Sequence, residues 1–163
     1  MKRPHAGDME LAVAMLLNYR IHSIVPNVYW GWGLRHEADM IAVNGSGYVT
    51  EIEIKVTKSD LVNDFKKEHG HESKKIHRLV YAVPDHILDS AMSVVPERFG
   101  IIAVKTIPTP GGERYSARWI RRCKYDKSKP HLSSNDLIKL LDLGCMRMWS
   151  IKFHNNNRRR NNG

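Results

Sequence analysis

The chain is short of the features that would tie it to a membrane or to an oxidising compartment. No apolar run approaches the roughly 20 residues needed to cross a bilayer. Met1-Lys2-Arg3-Pro4-His5 leads into a segment that carries polar residues, not into the apolar core of a signal peptide. The expected setting is therefore cytoplasmic, with no membrane partner. Only two cysteines occur in 163 residues, Cys123 and Cys145, and they lack a CxxC spacing, which argues against a disulfide framework and against a cysteine zinc site. Internal repeats are lacking as well. Acids are scarce in one region alone: residues 113–163 hold 13 Lys and Arg against 4 Asp and Glu, whereas residues 1–112 hold 13 of each. The formal net charge of +9 thus belongs to the last third. A basic segment on a neutral body is the footprint of a polyanion, and without a membrane anchor that polyanion is nucleic acid.

What is present is organised around Glu37 to Lys55, EADMIAVNGSGYVTEIEIK. Two apolar-rich runs, Ala38 to Val43 and Tyr48 to Val56, flank Asn44-Gly45-Ser46-Gly47, a cluster of turn residues that predicts an antiparallel hairpin. Strand alternation puts Tyr48, Thr50, Ile52, Ile54 and Val56 on one face, read as the core-facing row, and Val49, Glu51, Glu53 and Lys55 on the other, read as polar. A three-residue loop at Gly45-Ser46-Gly47 would place Asp39 opposite Glu53, with Cβ atoms about 5 Å apart. Acids and a lysine gathered in this way can hold a divalent metal. The plainer reading of the same residues is a cross-strand charge ladder.

The remaining pattern predicts one domain with an α/β core. Asp8 can cap a helix to about Arg20 with Met9, Val13, Leu16 and Leu17 buried. Glu10 then lies in its first turn, either as a site residue or as an acid favoured by the helix dipole. Ile24 to Trp32 reads as a strand despite Pro26, its aromatics serving the core or a base-stacking platform. Thr57 and Ser59 can cap a helix from Asp60 to about His69. The pair His69 and His71 has metal spacing without a third ligand. Arg78 to Val83 and Ile101 to Val104 read as buried strands on either side of a short helix, Ile87 to Val94. Tyr115 to Cys123 reads as a basic last strand or arm. Ser133 or Ser134 caps a helix through about Leu143, halted by Gly144. This gives a single domain over residues 1–154, with a core at about 8–105 and a basic extension at 113–154. Residues 155–163, NNNRRRNNG, form a basic tail expected to be disordered.

A helix acid, an aspartate, and E-x-K on the next strand resemble the PD-(D/E)xK nuclease superfamily, with Glu10, Asp39, Glu53 and Lys55 matching and Ile54 between the last two. The run from Ala38 through KVTKSDLVNDFKK to LVYAVPD and FGIIAV is similar to the MmcB-like group of DNA-repair proteins, over about Glu10 to Val104. Ala38 stands where the superfamily name has proline. The resemblance implies a restriction-endonuclease-like core, a central mixed sheet of four to five strands flanked by helices. It also implies a DNA nuclease acting in repair, recombination or phage DNA processing, and a possible homodimer.

The chemistry fits those residue types. Mg²⁺ or Mn²⁺ takes hard oxygen ligands, which Asp39, Glu53 and the Ile54 carbonyl would supply together with a substrate phosphate. Lys55 would stabilise developing negative charge, and Glu10 would orient a water or a second metal. Expected nucleic-acid contacts are Lys58, Lys66, Lys67, Lys74, Lys75, Arg118, Arg121, Arg122, Arg158, Arg159 and Arg160. Two alternatives remain: a DNA-binding module that does not cleave, and an RNA-directed protein, for which the Arg-Asn tail is equally suited.

Overall fold

A computed structural model describes residues 3–29, 31–65 and 73–161. The turn cluster folds as the sequence predicts. Asn44 Oδ1 accepts from the Ser46 and Tyr48 amides at 3.0 Å each, and the Gly47 amide donates to the Asn44 carbonyl at 2.9 Å. Gly47 takes φ 77°, the left-handed backbone that glycine tolerates best. This turn joins β2 (Ala38–Val43) to β3 (Val49–Ile54) in the register Met40↔Ile52, Ile41↔Glu51, Ala42↔Thr50 and Val43↔Val49.

Four further strands complete the sheet: β1 (Ser23–Val28), β4 (Arg78–Pro84), β5 (Gly100–Thr109) and β6 (Gly112–Arg121). They lie in chain order, β1 to β6, antiparallel except where β4 pairs parallel with β3 and with β5. The architecture is thus α/β with a six-stranded mixed sheet, wider than the expected four to five. The difference has a local cause: beyond Val104 the apolar pattern of β5 gives way to exposed residues, and β6 is exposed or half-buried along its whole length. Backbone pairing continues there without a continuous apolar run to mark it. Pro26 is tolerated in β1 because that strand is an edge, where an absent N–H costs no ladder bond.

Both faces of the sheet are covered. On one side α1 (Ala6–Leu16) packs Met9, Ala12 and Val13 against Met40, Ala42, Ile52, Ile54, Val80 and Ile102. Its cap is His5, whose amide donates to the Asp8 carboxylate at 3.0 Å, so Asp8 closes a capping box from inside the first turn instead of preceding it. On the other side α2 (Lys58–Asp64) and α3 (Leu88–Val94) cover Leu79, Tyr81 and Ile101, while α4 (Ser134–Asn161) covers β1 and β2 through Leu140. The Ser133 hydroxyl caps α4 by accepting from the Asp136 amide at 3.1 Å. Among the described residues no helix is long and apolar enough to cross a membrane.

Two expectations about α4 fail. Gly144 does not stop the helix: it sits where the helix touches β1, and a Cβ there would lie 3.3 Å from Val25, so the glycine permits close packing. The helix then continues to Asn161, where a disordered tail was expected over 155–163. Once capped and docked, a helix extends with one hydrogen bond for each residue fixed, even where its side chains face water.

Candidate functional site

β3 is one of the two central strands of a sheet covered on both sides, so its acids are not on a wet face. Glu51 is 0% exposed, Glu53 4% and Lys55 8%. Burying such groups is costly unless they are paired. Lys55 Nζ lies 2.6 Å from Glu53 Oε2, its neighbour on the same strand face, and 3.0 Å from Asp64 Oδ1 at the end of α2. Burial alone would lower the Lys55 pKa, but the charges and hydrogen bonds of Glu53 and Asp64 together outweigh it and hold the pKa above the ordinary lysine value. The ammonium is therefore fixed in place and charged at neutral pH. The Tyr81 hydroxyl donates to Asp64 Oδ2 at 3.1 Å, and burial, reinforced by the Asp64 charge, keeps it protonated. At the other end of the cluster His36, from the loop between β1 and β2, brings Nε2 to 2.6 Å from Glu51 Oε1.

The predicted quartet is divided. Glu53 and Lys55 meet, as the E-x-K spacing requires. Asp39, just beyond the last paired position of β2, Met40, turns its Oδ2 to accept from the Ile54 amide at 2.7 Å. Glu10 is half-buried on α1, and burial followed by the nearby Asp39 charge raises its carboxyl pKa. Two pairs thus flank the end of β3, Glu10 with Asp39 and Glu53 with Lys55. Among the described residues the three side chains whose ligand atoms lie within 4.8 Å of one another are His36, Glu51 and Glu53, and Asp39 does not join them. The expected ligand set of Asp39, Glu53 and the Ile54 carbonyl is therefore not the one that side-chain proximity selects.

Several basic residues expected to meet nucleic acid are committed within the fold. Lys75 donates to the Trp32 carbonyl and to Asp136, both at 2.8 Å, tying the loop before β4 to the start of α4. Arg121 donates to the carbonyls of Phe99, Val95 and Pro96, closing the segment that enters β5. Arg118 is different: it pairs with Asp85 at 3.0 Å but at the surface, with its side chain 57% exposed. Lys58, Lys74 and Arg158 are exposed, and so is Arg122, whose guanidinium lies 5.1 Å from the Trp119 ring centre. Lys66, Lys67, His69 and His71 fall outside the described residues, as do the side chains of Arg159 and Arg160.

His36 and Asp64 were not predicted as members of the site, and Glu51, though placed in the polar row of β3, was not named as a ligand. A signal for two of them was present. β4 reads as a continuous apolar run, RLVYAV, which marks a strand buried on both faces. A strand paired beside it is buried too, so Glu51 must be buried, and a helix acid such as Asp64 is needed opposite Lys55. Nothing in the sequence separates His36 from the other eight histidines.

No family model matches the chain, and no curated protein matches it. Among solved structures it is similar to the protein SPO1766 of unknown function from Silicibacter pomeroyi, with a TM-score of 0.63, 15% identity, and coverage of 92% of this chain and 90% of that one. A second structure, the protein of unknown function AF1548, covers 56% of this chain and 55% of its own at a TM-score of 0.38 and 16% identity. The first likeness is one of fold over nearly the whole length.

Proposed function

We propose that this chain is a metal-dependent deoxyribonuclease that hydrolyses phosphodiester bonds in DNA repair, recombination or phage DNA processing. The observation that carries the reading is the fixed, charged Lys55 beside Glu53 and Asp64 at the end of β3, with Asp39 held on the Ile54 amide and Glu10 close enough to feel the Asp39 charge. The donor atoms of Asp39 and Glu53 fit a hard dication, because both are carboxylate oxygens. Mg²⁺ or Mn²⁺, when bound through Glu53 and Asp39, would supply charge at the phosphate oxygens and a water of lowered pKa.

The protein's own residues would do the rest. Lys55 is preorganised by two carboxylates, so it can meet negative charge as it develops on the phosphate without first being ordered. Glu10 holds its proton to higher pH than an ordinary glutamate, which suits it to pass a proton or to orient the attacking water. The test is incubation with nicked, branched, single-stranded and duplex DNA in Mg²⁺, Mn²⁺ or EDTA, repeated with Glu53→Gln and Asp39→Asn. Cleavage that needs metal and is lost in both variants supports the reading. Cleavage at the wild-type rate in both, or no cleavage of any DNA form, overturns it.

A second reading, a nucleic-acid-binding protein that does not cleave, is favoured by one observation. Tyr48 stacks on Tyr125 at 4.9 Å, Arg78 lies 4.0 Å from the Tyr125 ring and 5.4 Å from Trp119, and exposed Arg122 covers Trp119. Such a ladder of arginines and aromatics is a surface on which bases and phosphates can settle. Binding that is indifferent to EDTA, with no products, would select it.

A further inference from the structure

We infer that His36, Glu51 and Glu53 form a binding site for a first-row transition-metal dication, distinct in its ligand set from the Mg²⁺ or Mn²⁺ position proposed for cleavage. The three side chains come from two places, His36 from the loop ahead of β2 and the glutamates from alternate positions of β3, and their ligand atoms lie within 4.8 Å of one another. Atoms bound to one ion at about 2.0–2.2 Å are roughly 3–4 Å apart, so small side-chain adjustments close this group around a metal. Lys55 engages Oε2 of Glu53 and His36 engages Oε1 of Glu51. The carboxylates accept at several lone pairs on two oxygens and keep capacity for an ion, while His36 Nε2 would exchange its contact with Glu51 for the metal.

Burial sharpens the chemistry. Glu51 and Glu53 side chains are 0% and 5% exposed, so two carboxylates of one strand face sit side by side away from water. A dication between them would relieve their repulsion. The His36 side chain is 21% exposed and stands at the open side, the route by which an ion would enter. Imidazole is the ligand that decides the metal: it suits Zn²⁺, Co²⁺, Ni²⁺ and Fe²⁺, whereas an all-oxygen set suits Mg²⁺. The site is therefore assigned to ions of the former kind.

The inference shares Glu53 with the nuclease reading but does not depend on it, and its test contains no DNA. The full chain, stripped with EDTA, is titrated with Co²⁺ and followed by visible absorption, with Mg²⁺ and Zn²⁺ as competitors. One Co²⁺ should bind per chain, be displaced by Zn²⁺, and resist a tenfold excess of Mg²⁺. His36→Gln and Glu51→Gln, checked for native circular dichroism, should each weaken Co²⁺ binding by about tenfold or more, while Asp39→Asn should leave it unaltered. Absence of Co²⁺ binding, wild-type affinity in His36→Gln, or loss confined to Asp39→Asn would overturn the assignment. Co²⁺ binding without cleavage of any DNA would leave this site standing and sink the nuclease; cleavage with wild-type Co²⁺ affinity in His36→Gln would do the reverse.

Discussion

On the α1 side of β3, Ile52 and Ile54 lie among Met9, Val13, Met40, Val80 and Ile102. On the opposite side Glu51, Glu53 and Lys55 meet His36, Asp64 and Tyr81. Both sides are buried, yet they are stabilised by different means. The apolar side gains about 25 cal/mol for each Å² removed from water, and its residues contribute almost independently. The charged side gains nothing from burial itself, since each ion loses hydration and recovers it only through a partner held at the right distance. A face built in this way contributes little to net stability, although each of its members is costly to remove.

That contrast is broken most directly at Lys55. Lys55→Ala leaves Glu53 and Asp64 as buried carboxylates without their shared cation and should cost about 3–5 kcal/mol. On the other face Ile52→Val removes one methylene and should cost about 0.5–1.5 kcal/mol. Urea denaturation of the two variants measures both. If Lys55→Ala proved the milder change, the carboxylates would have found water or other partners, and Lys55 would not be the residue that neutralises them.

A smaller effect sharpens the comparison through pH. Glu10 lies on the apolar face, half-buried, with burial and then the Asp39 charge raising its pKa above 4.5. Between its unfolded and folded pKa values the folded state binds more protons than the unfolded one, so stability falls as pH rises through that interval. The penalty is absent below the ordinary glutamate range and complete once the folded carboxyl has ionised. Glu10→Gln should therefore raise the melting temperature at neutral pH and flatten its decline above about pH 4.5. An unchanged pH profile would show that Glu10 is ionised without cost, and would remove the ground for giving it a proton-transfer role.

The same contrast explains which features were legible in the sequence. The hairpin register was legible because Asn44 to Gly47 allows one economical turn, and strand parity then sets Met40 against Ile52 and Ile41 against Glu51. Glu53 with Lys55 was legible because residues two apart on a strand share a face. Their burial was not, since an alternating E-I-E-I-K strand reads identically whether its charged face meets water or α2. Only the neighbouring parallel strand decides that. Asp39 illustrates the other limit: the pairing with β3 runs only as far as Met40, and the Asp39 carboxylate is drawn to the Ile54 amide, a choice invisible in the pattern. The length of α4 was hidden by Gly144, which reads as a stop by composition and serves as a packing point against Val25.

The two ends of α4 extend the comparison to the surface and carry the smallest expected change in stability. Near its start Leu140 is fully buried, whereas further along Met146, Trp149, Ile151 and Phe153 are 53–65% exposed, with Lys152 and Arg158 exposed among them. The side chains of residues 155–158 are exposed as well. Deleting residues 155–163 should therefore shift the urea midpoint by no more than corresponds to about 0.5 kcal/mol. In the nucleic-acid reading the same deletion should weaken DNA affinity and reduce the log–log salt slope by about 0.9 for each phosphate no longer neutralised. The midpoint reports folding and the slope reports binding, so one shortened chain separates the two. A fall in stability of several kcal/mol would mean that the end of α4 docks on the body, and an unchanged slope with weakened affinity would mean that its arginines never reach a phosphate. Exposed Trp149 and Phe153 then provide the remaining discrimination: their replacement by alanine should lower affinity for single strands more than for duplex, because stacking requires an unpaired base.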